Sequence, residues 1–217
     1  MLSEIPPGTH CFVDANIICY YFVETQPLSE RCVEFIKRME RRALVGSTSS
    51  AVIAEAIHKV MLAEAIAREG LEHRGLAHRL QRRRELIAGL SEHRKVPVLV
   101  QALTLHVEPI TIDLLTRASE ISQQALLLTN DSLTLAVMEK LGLVDLVTND
   151  DNFDSPPWID GLEAQIERIR WDPVRNTTSQ SPFACRFGTS MIFSVHLHDD
   201  QACKSGNAAR RVRHFVK

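Results

Sequence analysis

Short apolar stretches that end on polar or acidic residues recur along this chain, each followed by a segment patterned as a helix. That alternation restricts the fold more than any other feature of the sequence. The clearest case is the stretch Val144-Asp-Leu-Val-Thr-Asn-Asp-Asp-Asn-Phe153. Leu146 and Val147 read as the apolar end of a buried strand, and Thr148, Asn149, Asp150 and Asp151 stand where a parallel strand leaves its sheet. Four more stretches have strand character: His10–Val13, with Asp14 directly after it, 43–47, 105–110 and an alternating edge segment 166–171. Strands separated by helices need crossover connections, so the sheet is parallel and covered on both faces. The expected fold class is α/β, a three-layer α/β/α sandwich with a parallel sheet of about five strands.

The segments between the strands have helical signals. Asp14 or Asn16 can cap a helix that begins with Ala15, and Ser29 can cap one over 30–42 with a single apolar stripe. Ser49 or Ser50 opens a helix with Val52, Ile53, Ala56, Ile57 and Val60 apolar, a pattern that Glu55 interrupts. Thr111 caps a helix to about Gln124. Thr129-Asn130-Asp131 caps another, in which Leu133, Val137 and Leu141 repeat every fourth residue until Gly142 ends it. Between Glu69 and Lys95 the chain is punctuated by Gly70 and Gly75 and rich in arginine, including Arg82, Arg83 and Arg84. This reads as a projecting helical arm, about 69–95, that Pro97 ends. One domain is expected over 8–172. The tail 173–217 has weak periodicity and no assignable fold.

Composition removes several classes of function. No apolar run is long enough to span a bilayer, and the N-terminus lacks the basic-then-apolar order of a secretory signal. The five cysteines are odd in number and lack CxxC or Cys/His metal spacing. A reducing, cytoplasmic setting without membrane partners is therefore expected. The net charge of −2 hides an asymmetry: residues 174–217 carry +5 and the remainder −7. Any nucleic-acid contact would have to be local, and some acidic groups serve another purpose.

Each acidic candidate has a structural reading beside a chemical one. Asp14 can be a helix cap, Glu55 a boundary glutamate, and Asp131 a carboxylate favoured by a helix N-terminus. Asp150, at the end of its strand, has the best individual case, while Asp151 and Asp154 are near enough to assist but read as a solvated loop. Together they form a set, because two strands and one helix start deliver carboxylates to the same sheet edge. Carboxylates gathered there repel one another unless a cation lies between them. Asp131 joins the set only if its helix packs across the edge instead of following an ordinary crossover path.

The motifs Phe-Val-Asp14-Ala-Asn16, Ala-Val-Ile-Ala-Glu55, Thr-Asn-Asp131-Ser-Leu and Leu-Val-Thr148-Asn-Asp150, in this order, resemble the PIN domain, and most closely the ribonucleases of that family, including VapC-type toxins of toxin–antitoxin modules. The resemblance covers about residues 10–171. It implies a metal-dependent endoribonuclease with an acidic cluster of Asp14, Glu55, Asp131 and Asp150 binding Mg²⁺ or Mn²⁺, with Asp151 as a neighbouring ligand. Asn16 and Thr148 correspond to polar residues at the cluster that support it or touch substrate. It also implies RNA, single-stranded or looped, as substrate, a homodimer, and a small antitoxin as partner. Arg82 and Arg83 are the expected cations for RNA phosphates. The alternative is a catalytically inactive PIN-like module that binds RNA or protein. A phosphatase on a similar frame wants a second Asp two residues after Asp14, where this chain has Asn16.

Overall fold

The computed structural model describes residues 5–23, 28–70 and 74–153, and the backbone of a strand at Arg168–Arg170. The expected tail 173–217 lies outside the described residues. In chain order the elements are β1 (His10–Val13), α1 (Ala15–Phe22), α2 (Leu28–Glu40), β2 (Val45–Ser49), α3 (Ser50–Glu69), α4 (Leu76–Arg82), α5 (Arg84–Gly89), α6 (Lys95–Ala102), β3 (His106–Glu108), α7 (Ile112–Ala125), α8 (Thr129–Leu141), β4 (Asp145–Thr148) and β5 (Arg168–Arg170). Short 3-10 turns occupy Glu92–Arg94 and Asp151–Phe153.

Among the described residues the strands form one sheet in the order β3-β2-β1-β4-β5, and every neighbouring pair is parallel. Phe12 is in register with Ser47 on one side and Leu146 on the other. All carboxyl ends therefore lie on one edge. The chain moves outward from β1 through β2 to β3, then returns past β1 to β4. Right-handed crossovers place α1 to α6 on one face and α7 and α8 on the other. The reversal of direction between β1 and β4 opens a crevice at the carboxyl edge, the usual ligand position of such sheets.

Phe12, Val13, Leu146 and Val147 are fully buried in the middle of the sheet. β2 differs from its neighbours. It runs Val45–Ser49 instead of the expected 43–47, so its buried residues are Gly46 and the hydroxyl-bearing Ser47, Thr48 and Ser49. Their hydroxyls have partners: Thr48 donates to the Val13 carbonyl (3.0 Å), Ser47 bonds His10 Nε2 (2.7 Å), and Ser49 accepts from the Val52 N–H (3.2 Å). Buried hydroxyls so paired cost little, but hydropathy reads them as the end of a strand. Gly46 lets Leu105 and Met39 pack against the strand, since a Cβ there would lie 2.3 Å from Leu105 Cδ2 and these side chains would have to shift.

Three further expectations are corrected. The helix expected at 30–42 runs Leu28–Glu40, because Arg42 has a positive φ of 57° and the chain turns there. Pro97 does not end a helix; it sits in the first turn of α6, where its missing N–H removes no helical hydrogen bond. Thr129-Asn130-Asp131 does not cap α8. Leu128 is the N-cap residue, without a side-chain hydrogen bond, and Thr129 to Asp131 lie inside the first turn.

The arm packs on the distal part of α3. Ala65, Leu76, Leu80 and Leu90 form a second buried cluster, separate from the main core. Glu64, 1% exposed, ties it down by accepting from the backbone N–H groups of Ser91 (2.9 Å) and Glu92 (2.9 Å). Arg68, one turn on, bonds Glu64 and the Gly89 carbonyl. Among the described residues no helix is long and apolar enough to cross a membrane.

Candidate active site

Asp14 follows β1 directly, and its N–H donates to the Val147 carbonyl (3.1 Å), so the β1–β4 ladder reaches the edge of the crevice. Its Oδ1 accepts from the Ala15 N–H (2.6 Å), as a cap of α1. Its Oδ2 accepts from the Thr148 hydroxyl (2.6 Å) and from Asn16 Nδ2 (2.8 Å). Capping and site chemistry are thus not rival readings here, since one oxygen serves each. Thr148 Oγ1 in turn accepts from Asn16 Nδ2 (3.0 Å) and the Asp150 N–H (3.0 Å). Asn16 Oδ1 accepts from the Asn149 N–H (3.2 Å). Asn16 and Thr148 therefore hold Asp14 and the end of β4 in one network. Asp150 Oδ1 accepts from the Asn152 N–H (2.9 Å), which turns the chain after β4.

Asp131 reaches the same place by the route that its helix takes. α7 leaves β3 and α8 returns toward it: Arg117, early in α7, pairs with Glu139 late in α8 (2.8 Å), and Lys140 donates to Glu108 of β3 (2.6 Å). The hairpin turn lies at the other end, beside the crevice, and Asp131 sits just after it. A two-helix connection thus supplies the crossing geometry that one crossover helix would not. Asp131 Oδ2 accepts from Asn152 Nδ2 (3.1 Å).

Asp14, Glu55, Asp131 and Asp150 line one pocket at this edge, together with Ser49, Asn130 and Lys59. Its volume is about 30 Å³, when one water needs roughly 10–15 Å³. It has room for small hydrated species. Asp151 begins the 3-10 turn, is exposed, and does not line the pocket. Arg82 and Arg83 do not line it either; they are exposed on the arm.

The charges in the pocket oppose one another. Burial pushes the Asp14 carboxyl above its ordinary range, against the hydrogen bonds from Thr148 and Ala15, and Glu55 adds to the rise. Burial also raises Asp131, with Asp150 and then Glu55 contributing repulsion. Sequence reasoning missed the residue that partly compensates. Lys59 Nζ lies 2.6 Å from Glu55 Oε1, while Glu55 Oε2 accepts from Asn130 Nδ2 (3.3 Å). The i, i+4 spacing after Glu55 was the available signal. Among the described residues no three His, Cys, Asp or Glu side chains are gathered closely enough to hold a metal ion as they stand. The donors are oxygen alone, the type that Mg²⁺ and Mn²⁺ take.

A family model of the PIN domain matches residues 11–159, which contain all of these groups. The chain belongs to the PIN domain family. PIN domains are typically nucleases and generally bind divalent metal ions. A search of curated proteins finds no match. Among solved structures, the chain is similar to the Mycobacterium tuberculosis toxin VapC20, described as cleaving the sarcin–ricin loop, at 18% identity and a TM-score of 0.43 over 66% of this chain and 92% of that one.

Proposed function

We propose that this PIN domain is a Mg²⁺- or Mn²⁺-dependent endoribonuclease with its active site in the crevice between β1 and β4. The observation that carries the proposal is the meeting of four carboxylates, from four separate segments, in one small pocket at the switch point. A fold has no structural need to pay for that repulsion, and a divalent cation relieves it. Asp14, Asp131 and Asp150 would hold the ion. Glu55 would join them once it turns from Lys59. Asp151 is the alternate ligand beside Asp150.

When bound, the metal supplies Lewis-acid stabilisation of the phosphoryl oxygens and lowers the pKa of an attacking water. The chain's own groups do the rest. Thr148 and Asn16 fix the Asp14 carboxylate, so that little reorganisation is needed when the ion arrives. Glu55 is placed to orient a water and take its proton. Lys59, released from Glu55, is placed to neutralise charge on the phosphate. Single-stranded or looped RNA is the substrate proposed, with its phosphate brought to the acidic groups at the open edge of the sheet.

The test is cleavage of a cellular RNA pool by purified protein with Mn²⁺, beside Asp14→Asn and EDTA controls. Cleavage that needs both the metal and Asp14 supports the reading, and activity retained by Asp14→Asn would sink it. Lys59 favours one second reading, an inactive RNA- or protein-binding module, because an ammonium already offsets part of the pocket charge. Calorimetry with Mn²⁺ discriminates, since a binding module of that kind shows no saturable metal site. The toxin role extends the proposal, with a small antitoxin and a homodimer as its partners. Growth arrest on expression, relieved by Asp14→Asn, and a dimer in light scattering are its expected signs.

A further inference from the structure

The arginine-rich arm is not used by the acidic pocket. From Arg74 to Lys95 the chain carries seven Lys and Arg against Glu85 and Glu92, within a protein whose net charge is −2. Arg82, Arg83 and Arg84 are exposed and consecutive across the junction of α4 and α5. Arg83 approaches Glu85 at 3.5 Å, and both of those side chains are well exposed. The side chains of Arg82 and Arg84 make no hydrogen bond or ion pair among the described residues.

Helix electrostatics explains only part of this. Arg79 and Arg82 are in the last turn of α4, where cations are welcome. Arg83 and Arg84 begin α5, where the dipole disfavours them. Three adjacent cations also repel one another. The fold gains nothing evident from the run.

The arm is nevertheless held firmly. Leu76 and Leu80 of α4 and Leu90 are buried against Ala65, and buried Glu64 anchors the turn after α5 through two backbone N–H groups. The cations are thus presented on a fixed support. That support lies at a distance from the chemistry. Ala65 is ten residues beyond Glu55 on the same helix, roughly 15 Å at 1.5 Å per residue.

We infer that the arm, through Arg82, Arg83 and Arg84, is a second phosphate-binding surface for the RNA strand, separate from the acidic pocket and reached only by substrates that extend past it. This rests on the nuclease reading for the identity of the polyanion. An acidic pocket repels a phosphate chain, and a fixed basic surface away from it supplies the attraction without neutralising the carboxylates. At roughly 3.4 Å per stacked nucleotide, 15 Å corresponds to about four or five nucleotides. Shorter RNA should reach the pocket without engaging the arm.

The experiment compares the full chain with a triple Arg82→Gln, Arg83→Gln, Arg84→Gln variant, whose fold is checked by circular dichroism. Binding of a labelled unstructured RNA of about 20 nucleotides and one of about four is followed by fluorescence anisotropy across a salt series. EDTA is present throughout, so hydrolysis does not enter. The expected result is weaker binding of the long RNA and a salt slope lower by about 0.7 for each phosphate that is no longer neutralised, up to about 2, with the short RNA unaffected. An unchanged slope and affinity for the long RNA overturns the inference. So does equal weakening for both lengths, which would put the cations at the pocket. Polyaspartate that binds through these arginines where the long RNA does not would assign the arm to an acidic protein and also overturn it. Failure of the nuclease reading is distinguishable. Arm-dependent RNA binding in EDTA with no cleavage in Mn²⁺ removes that reading and leaves this one.

Discussion

Replacing Thr148 by valine should weaken metal binding while preserving the fold. Valine keeps the volume, the β-branch and the strand preference of threonine, and Thr148 is 6% exposed. What it removes is one hydroxyl with three bonds: donation to Asp14 Oδ2 at 2.6 Å, and acceptance from Asn16 Nδ2 and the Asp150 N–H at 3.0 Å each. A hydrogen bond to a charged group contributes about 1.5–3 kcal/mol. Losing it disfavours the ionised Asp14, the form a cation needs. At about 1.4 kcal/mol per factor of ten, affinity for Mn²⁺ should fall roughly 10- to 100-fold, which is also the usual effect of losing an outer-sphere partner of a metal ligand. Isothermal calorimetry of wild type, Thr148→Val and Thr148→Ser measures this. The serine variant keeps the hydroxyl and should stay near wild type. Binding of Mn²⁺ by Thr148→Val within about twofold of wild type would refute the dependence of Asp14 on this network.

Three other outcomes are expected. Glu64→Ala leaves the Ser91 and Glu92 N–H groups without their buried acceptor and should lower stability by about 3–6 kcal/mol in urea denaturation, counting only the two backbone bonds; Glu64→Gln keeps one oxygen and should cost less than half of that. Lys59→Met removes the half-exposed partner of Glu55, a pair worth about 0.2–1 kcal/mol, so Mn²⁺ should bind up to about fivefold more tightly; weaker binding would show that Lys59 assists the ion instead of competing with it. The raised carboxyl of Asp131 predicts a sign for pH dependence. The folded protein binds its proton more tightly than the unfolded chain, so metal-free stability should fall as pH rises from near the ordinary value of 3.8 through the raised folded value. Asp131→Asn should flatten that part of the curve in thermal melts, and Mn²⁺ should stabilise wild type increasingly over the same window, because its ligands must be deprotonated.

The sheet was legible because its strands combine apolar residues with a polar exit, and β1 and β4 lie where that pattern places them, at His10–Val13 and Asp145–Thr148. β2 lies two residues later than hydropathy places it, because Ser47, Thr48 and Ser49 are buried on both of its faces, and no hydropathy pattern reveals their pairing. Asp14, Glu55 and Asp150 could be put at one edge from chain order alone. Asp131 could not, since its position depends on α7 and α8 forming a hairpin, and that rests on long-range pairs such as Lys140 with Glu108. The arm was legible as helical and basic. Its docking was not, because Glu64 looks in sequence like any other helical glutamate. Only its burial against Ser91 and Glu92 shows that it fixes where Arg82 and Arg83 stand.

The four carboxylates are not equivalent. Asp14 is held by three donors before any ion arrives, and burial still raises its pKa. Its position is preorganised and its charge is not satisfied. Glu55 is the reverse: it lines the pocket with its charge offset by Lys59 and its second oxygen accepting from Asn130. In the ligand roles proposed above, Asp14 would be the fixed ligand and Glu55 the one that exchanges partners. The fixed ligand sits at the end of the central strand, where the sheet defines its place. The exchanged one sits on a helix with a cation a turn away. Were Glu55 drawn to a divalent ion beside the other carboxylates, Lys59, which lines the same pocket, would lose its partner there. On the nuclease reading proposed above, Lys59 would then be free to meet a substrate phosphate once the acidic groups hold their ion.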